Sequence, residues 1–442
     1  MKKWLVASSF LLLLTACGTD DEGTADEPQD DSDQDTVEET EDMDDDEGDD
    51  DEGSTVLDEN DEGVTVLAED LETPWNIEEN DGTFYITERS TGEIVHVTED
   101  SQESYPVEFS DELYTEIEAG LMGMALAPDF DETNEAFIYY TYGDEDEAFN
   151  KVARVAFDEE EGVWTEEDVL LDEIPGFRIH SGGRIAIGPD DLLYVGVGDV
   201  DEIHGQEGDT EGAMIAQDED SYAGSILRMN LDGSVPEGNL EEDSHVYTYG
   251  HRNPQGLTWG EDGTMYATEH GPTGHDELNI IEGGNNYGWP VIWGDGEEEG
   301  MESPLAHAGK NTWAPSGVDY LDGNLYFTAL AGLGVNEYNI ETGEITQIVS
   351  GFDRVRDVMI TDDSMYLLTH NTDGRASGHD NDDRLVQLNL DDVLAGNFQN
   401  EDADLKNDED VESGAEHEEE LHDEDSEEDA DEDSEEDEED AE

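Results

Sequence analysis

Arg354 and Arg356 are two residues apart in a chain that holds only 15 Lys and Arg against 127 Asp and Glu. On a strand this spacing points both guanidiniums to one face, where they can grip two carboxylates of a ligand or pair with the chain's own acids. His180 opens the run His180-Ser181-Gly182-Gly183-Arg184. Glycines there let a ligand approach the backbone, and an imidazole with an unperturbed pKa near 6.5 suits a general base; a lone histidine is more often structural. The run Tyr249-Gly250-His251-Arg252-Asn253-Pro254-Gln255-Gly256-Leu257 sets charged and amide groups around a proline turn more densely than an ordinary turn requires. Two loops follow, Glu269 to Asn279 and Gly283 to Pro290. Gly and Pro carbonyls in such loops are not consumed by a regular ladder, which leaves them available to a hard cation such as Ca²⁺.

The elements that must position these groups are short strands. Asp81-Gly82-Thr83-Phe84-Tyr85-Ile86 returns as Asp190-Asp191-Leu192-Leu193-Tyr194-Val195, Asp262-Gly263-Thr264-Met265-Tyr266 and Asp322-Gly323-Asn324-Leu325-Tyr326-Phe327. Weaker copies are Glu135 to Tyr139 and Asp363 to Leu367. Each is a turn followed by a β-rich run with an aromatic, and the spacing suits one four-stranded sheet per copy. Six copies predict an all-β, six-bladed β-propeller of four-stranded antiparallel sheets over residues 63–400. No ten-residue helical pattern interrupts the region, which argues against an α/β enzyme. A pair of β-sandwiches is the other all-β arrangement, but sandwiches lack this period.

The formal charge is −112, which excludes nucleic acid and bare anionic membrane as partners bound through protein positive charge. Asp20 to Glu62 carries 25 acids and no base, and Glu401 to Glu442 carries 27 acids and one base. Both segments, the spacer 18–62 and the tail 401–442, are expected to be disordered. The remaining core still has 75 acids against 12 bases. Such a surface is suited to concentrated salt, which screens its self-repulsion, so a halophilic host is expected. Cys17 is the one cysteine, so no intramolecular disulfide can form. It follows Lys2, Lys3, an apolar run from Trp4 to Leu14 and then Thr15-Ala16. That is the pattern of a secretory signal ending in a lipobox, with residues 1–17 as the leader and a mature chain tethered outside the membrane by lipid on Cys17.

Taken in order, eight stretches resemble the soluble pyrroloquinoline quinone (PQQ) dependent sugar dehydrogenases of the glucose, aldose and sorbosone group. They are Gly120 to Phe130, His180 to Arg184, Ala216 to Arg228, Tyr249 to Leu257, Glu269 to Asn279, Asn286 to Pro290, Ala314 to Gly317 and Arg354 to Val358. The resemblance implies a six-bladed propeller oxidising an aldose to its lactone, with electrons passed to an external acceptor. It implies His180 as the general base, and Arg252 and Asn253 at the quinone edge of PQQ. Arg354 and Arg356 would sit on the PQQ carboxylates, Thr312 at a further cofactor contact, and the Gly271 and Pro272 carbonyls on a catalytic Ca²⁺. Asp276, Glu277 and Tyr287 resemble ligands of a second, structural Ca²⁺.

The chain departs from the family at three points. Glu118 stands where better-known glucose enzymes place a glutamine near the substrate, Ile179 replaces the acid before the base, and Ala329-Leu330-Ala331-Gly332 stands where a cofactor-binding lysine is expected. A non-redox propeller, either a Ca²⁺-dependent lactonase or a ligand-binding module, is the competing reading. A homodimer is left open.

Overall fold

The computed structural model describes Leu57 and residues 61–144, 147–200, 212–376, 378, 379 and 381–399. Cys17, the leader, all but Leu57, Asp61 and Glu62 of the spacer, and the tail 401–442 lie outside the described residues.

The strands form four four-stranded sheets and one eight-stranded sheet. The larger sheet consists of two four-stranded antiparallel runs, Pro74 to Glu108 and Leu121 to Gly176, joined by the short parallel pairing of Val107 with Trp164 and Glu108 with Thr165. Every copy of the sequence repeat is the second strand of such a run: Thr83–Glu88, Glu135–Gly143, Leu193–Val197, Met265–Glu269, Asn324–Ala329 and Ser364–Thr369. At two of them the Asp-Gly pair makes the two-residue turn that matches strand twist, with positive φ at both residues: 49° and 82° at Asp81 and Gly82, 48° and 85° at Asp322 and Gly323.

Six first strands, Pro74–Asn80, Leu121–Leu126, Ile185–Ile187, Pro254–Trp259, Pro315–Leu321 and Val355–Ile360, touch one another in a closed ring. Between neighbouring sheets the alternating apolar side chains interdigitate; Met122, Val195, Leu227 and Val246, for example, share one buried cluster. The last sheet takes its fourth strand from the other end of the chain, Val64–Ala68 pairing with Leu385–Asn389. That pairing ties the two ends of the described region together. Leu57, inside the expected spacer, packs against the same apolar cluster and donates its N–H to the Gly351 carbonyl at 3.0 Å. Contact with the domain therefore begins before residue 63, because Leu57 is an apolar residue within an acidic run. Helix is confined to Phe130–Thr133, a 3₁₀ turn at Ala213–Gln217 and Leu390–Leu394 among the described residues.

Candidate active site

Five of the six first strands shift register near their start: at Pro74/Asn76, Leu121/Met124, Pro254/Gly256, Pro315/Val318 and Val355/Asp357. Such bulges re-aim the extra side chain. The bulge residues Trp75, Met122, Gln255 and Arg356 all line one cavity, and Ser316 accepts a hydrogen bond from Arg356 at 3.3 Å. The sixth first strand is preceded instead by His180 to Arg184, which enters through left-handed backbone, with φ of 54° at His180, 67° at Gly182 and 114° at Gly183. A Cβ on Gly183 would lie 2.8 Å from Met122 Sδ and 2.9 Å from Trp75, so this close crossing requires glycine.

His180 is nearly buried, beside the cavity-lining Ser181. Its Nδ1 lies 2.8 Å from Asp199 Oδ1, and the other Asp199 oxygen accepts from Trp289 Nε1 at 2.7 Å. Asp199 is fully buried. A carboxylate held from both sides in this way fixes the ring orientation and places the proton on Nδ1, leaving Nε2 as the acceptor nitrogen. Sequence reading missed Asp199, because a single Asp after a strand carries no signal where Asp and Glu number 127.

Arg252 and Asn253 adjoin the cavity through its walls. Asn253 Oδ1 accepts from Gly182 N at 3.0 Å, and Arg252 donates to the carbonyl of cavity-lining His270 at 3.2 Å. The Arg252 guanidinium lies 5.4 Å from the Trp289 ring, and its Nε is buried without a hydrogen-bond partner. Neighbouring His251 is structural: its Nδ1 bonds Glu269 at 2.7 Å and its ring stacks on Tyr287.

The arginine pair divides its labour. Arg354 donates to Asp373 at 3.0 Å and to the carbonyls of His370 and Leu330, and so braces the wall. Arg356 faces the cavity, held by Gln255 Oε1 at 2.8 Å, with its Nε buried and unpartnered. Burial, and then the charges of Arg89 and Arg354, push its guanidinium down to about 9.

Glu118 also lines the cavity. It accepts from His180 N at 3.1 Å and from Arg375 at 2.9 Å. Burial alone would raise its carboxyl, but the charges of His180 and Arg375 and the His180 amide hold it down at about 2.

Gly271 donates its N–H to Asp276 Oδ1 at 2.9 Å, while Asp276 Oδ2 accepts from Thr312 Oγ1, Trp313 N and Ala314 N at 2.8, 2.6 and 2.8 Å. Asp276 and Thr312 thus clasp two loops together, with Thr312 directed to Asp276. Glu277 accepts from Gly294 N at 2.8 Å; burial and the Glu269 charge push its carboxyl up to about 8. The Tyr287 hydroxyl donates to the Ile280 carbonyl at 2.7 Å. Among the described residues no group of three or more His, Cys, Asp or Glu side chains gathers at one point. The Gly271 and Pro272 carbonyls accept no backbone hydrogen bond among the described residues.

The glucose/sorbosone dehydrogenase family profile matches residues 71–378. The chain belongs to that family. Among curated relatives, quinoprotein glucose dehydrogenase B of Acinetobacter calcoaceticus is 32% identical over 240 residues, 50% of this chain and 50% of that protein. Aldose sugar dehydrogenase YliI of Escherichia coli is 27% identical over 344 residues, covering 69% and 89% of the two chains. The chain spans about half the length of the first curated relatives it matches, 50% and 55%. The PQQ-bound aldose sugar dehydrogenase of Streptomyces coelicolor superposes with a TM-score of 0.66 at 32% identity, over 74% of this chain and 97% of that one. This member of the family is, like its structural relatives, a β-propeller.

Proposed function

We propose that the protein is a PQQ-dependent dehydrogenase that oxidises an aldose at its anomeric carbon to the lactone. The observation that carries this reading is a cavity walled by arginine, in a chain with a net charge of −112, next to a histidine and carboxylate pair built for proton transfer. The residues present fit a quinone bearing carboxylates: Arg252 Nε and Arg356 Nε are buried donors without a protein acceptor, and a ligand oxygen would relieve both. PQQ would supply the hydride acceptor when bound, and the Gly271 and Pro272 carbonyls would hold a Ca²⁺ that supplies Lewis acidity.

His180 Nε2 takes the proton of the anomeric hydroxyl, and the charge that then forms on the ring is stabilised by Asp199 at 2.8 Å. Trp289 keeps Asp199 from turning away. Arg252, set over Trp289, is a fixed cation beside the region where negative charge develops. A closed ring of six first strands supports a six-bladed propeller as the scaffold. The leader pattern ending at Cys17 supports a lipid anchor on the extracellular face, with an external electron acceptor.

The test is titration of metal-free protein with PQQ in high salt with Ca²⁺ restored, following dye reduction with a panel of aldoses. Saturation near one PQQ per chain is expected. A folded protein that binds no PQQ overturns the reading in favour of a non-redox propeller.

A further inference from the structure

Arg89 was not among the residues the sequence pointed to, yet it belongs to the same cavity. It follows the strand Thr83–Glu88, in the sheet next to the one whose Val355–Ile360 strand presents Arg356, and is 7% exposed. One of its terminal nitrogens donates to the Ile117 carbonyl, which fixes the direction of the side chain, and its Nε is buried without a partner. The two cavity-side carboxylates are already engaged, Glu118 with Arg375 at 2.9 Å and Asp373 with Arg354 at 3.0 Å. Among the described residues, neither Arg89 nor Arg356 has a carboxylate within ion-pair distance. The charges of Glu118 and Asp373 reach both from beyond that distance, alongside those of neighbouring guanidiniums: Arg89 and Arg354 act on Arg356, and Arg375 on Arg89. Two buried guanidiniums facing one cavity, each with an unpartnered Nε donor, form an arrangement that a ligand anion completes. His270 Nε2 and His370 Nε2, which also line the cavity, are likewise buried without hydrogen-bond partners.

Leu330, within the Ala329 to Gly332 stretch where the family resemblance leads one to expect a cofactor-binding lysine, lines this cavity. We infer that Arg89 supplies the missing cation: with Arg356 it binds the carboxylates of the cofactor, replacing the absent lysine. This rests on the PQQ reading above. Arg89 is a binding residue, and its effect is on cofactor affinity ahead of turnover.

The experiment is equilibrium titration of the full-length apoprotein, with Ca²⁺ and high salt, against PQQ and against its trimethyl ester, read by quenching of tryptophan fluorescence. Trp75 lines the cavity and reports occupancy. R89Q is expected to raise the PQQ Kd about 10- to 100-fold, as loss of a charge-assisted hydrogen bond to an ionised group does. R89K should stay within a few-fold of the parent. L330K placed in the R89Q background should recover most of the affinity, a rescue that a merely structural role for Arg89 would not give. With the ester, the parent and R89Q should bind alike. A parent-like PQQ Kd for R89Q, or an equal loss in R89Q for PQQ and ester, overturns the inference while leaving the PQQ reading intact. A parent protein that is folded by circular dichroism and binds no PQQ overturns both.

Discussion

His180 Nδ1 stands 2.8 Å from Asp199 Oδ1, and the two residues come from opposite ends of one hairpin: His180 before the strand Ile185–Ile187, Asp199 just after the strand Leu193–Val197. The pair is held by the backbone as well. A Cβ on Gly198 would lie 1.8 Å from the His180 carbonyl oxygen, so the strand can pass His180 only with glycine at that point.

Replacing His180 by Ala should lower turnover roughly 10²- to 10⁴-fold while leaving the PQQ Kd nearly unchanged. D199N should also reduce kcat with little effect on cofactor binding, since the ring then loses the carboxylate that selects its tautomer. Steady-state kinetics beside fluorescence titration separates the two quantities. Undiminished activity in H180A would remove this residue from the mechanism.

G198A tests the backbone part of the same arrangement. The added methyl must displace His180, and a loss of at least about tenfold in kcat is expected from a misplaced base. Retained kcat in a folded G198A protein would show that the close approach does not position the histidine.

Glu118 should matter for stability in acid. Its folded carboxyl sits at about 2 against an ordinary 4.5, so its contribution is present above about 4.5 and is lost as the pH falls towards 2. E118Q should therefore lower the melting temperature at pH 7 and have less effect near pH 2. E118A, which also removes the acceptor for the His180 amide, should cost turnover as well.

Glu78 predicts the opposite slope. Burial, and secondarily the Asp357 charge, raise its carboxyl to about 8, so the folded state holds a proton that the unfolded chain releases. Stability tied to Glu78 is full below about 4.5 and falls as the pH rises through 8, at up to about 1.4 kcal/mol per pH unit for one proton. E78Q should flatten that fall in urea unfolding between pH 5 and 8. An unchanged slope would show that Glu78 is ionised in the folded state.

The core charge, 75 acids against 12 bases, makes salt a stabiliser if self-repulsion dominates. Thermal unfolding midpoints should rise with NaCl up to molar concentrations. Midpoints that climb as salt is removed would contradict the halophilic reading.

What could be read in the chain is what local rules encode. Asp81-Gly82 and Asp322-Gly323 advertise their turns because positive φ at consecutive residues is a property of those residues, and the alternating runs after them advertise second strands. His180 and Arg356 stood out because bases and glycine-flanked histidines are scarce in so acidic a chain. The same acidity hid Asp199 and made Glu118 weak as a signal.

The amino-acid order by itself therefore determined a repeated all-β chain, the rarity of its cations and the family it resembles, since periodicity and composition need no partner to be seen. Only the tertiary structure decided that Arg354 braces a wall while Arg356 faces the cavity, that Thr312 and Asp276 clasp each other, and that Arg89 joins the site from hundreds of residues away. The bulge between Val355 and Asp357 sets Arg356 apart from Arg354, and the closure of the ring brings the sheet that carries Arg89 against it. Where a side chain points after a bulge depends on the strand beside it, and which strand lies beside it depends on the whole fold.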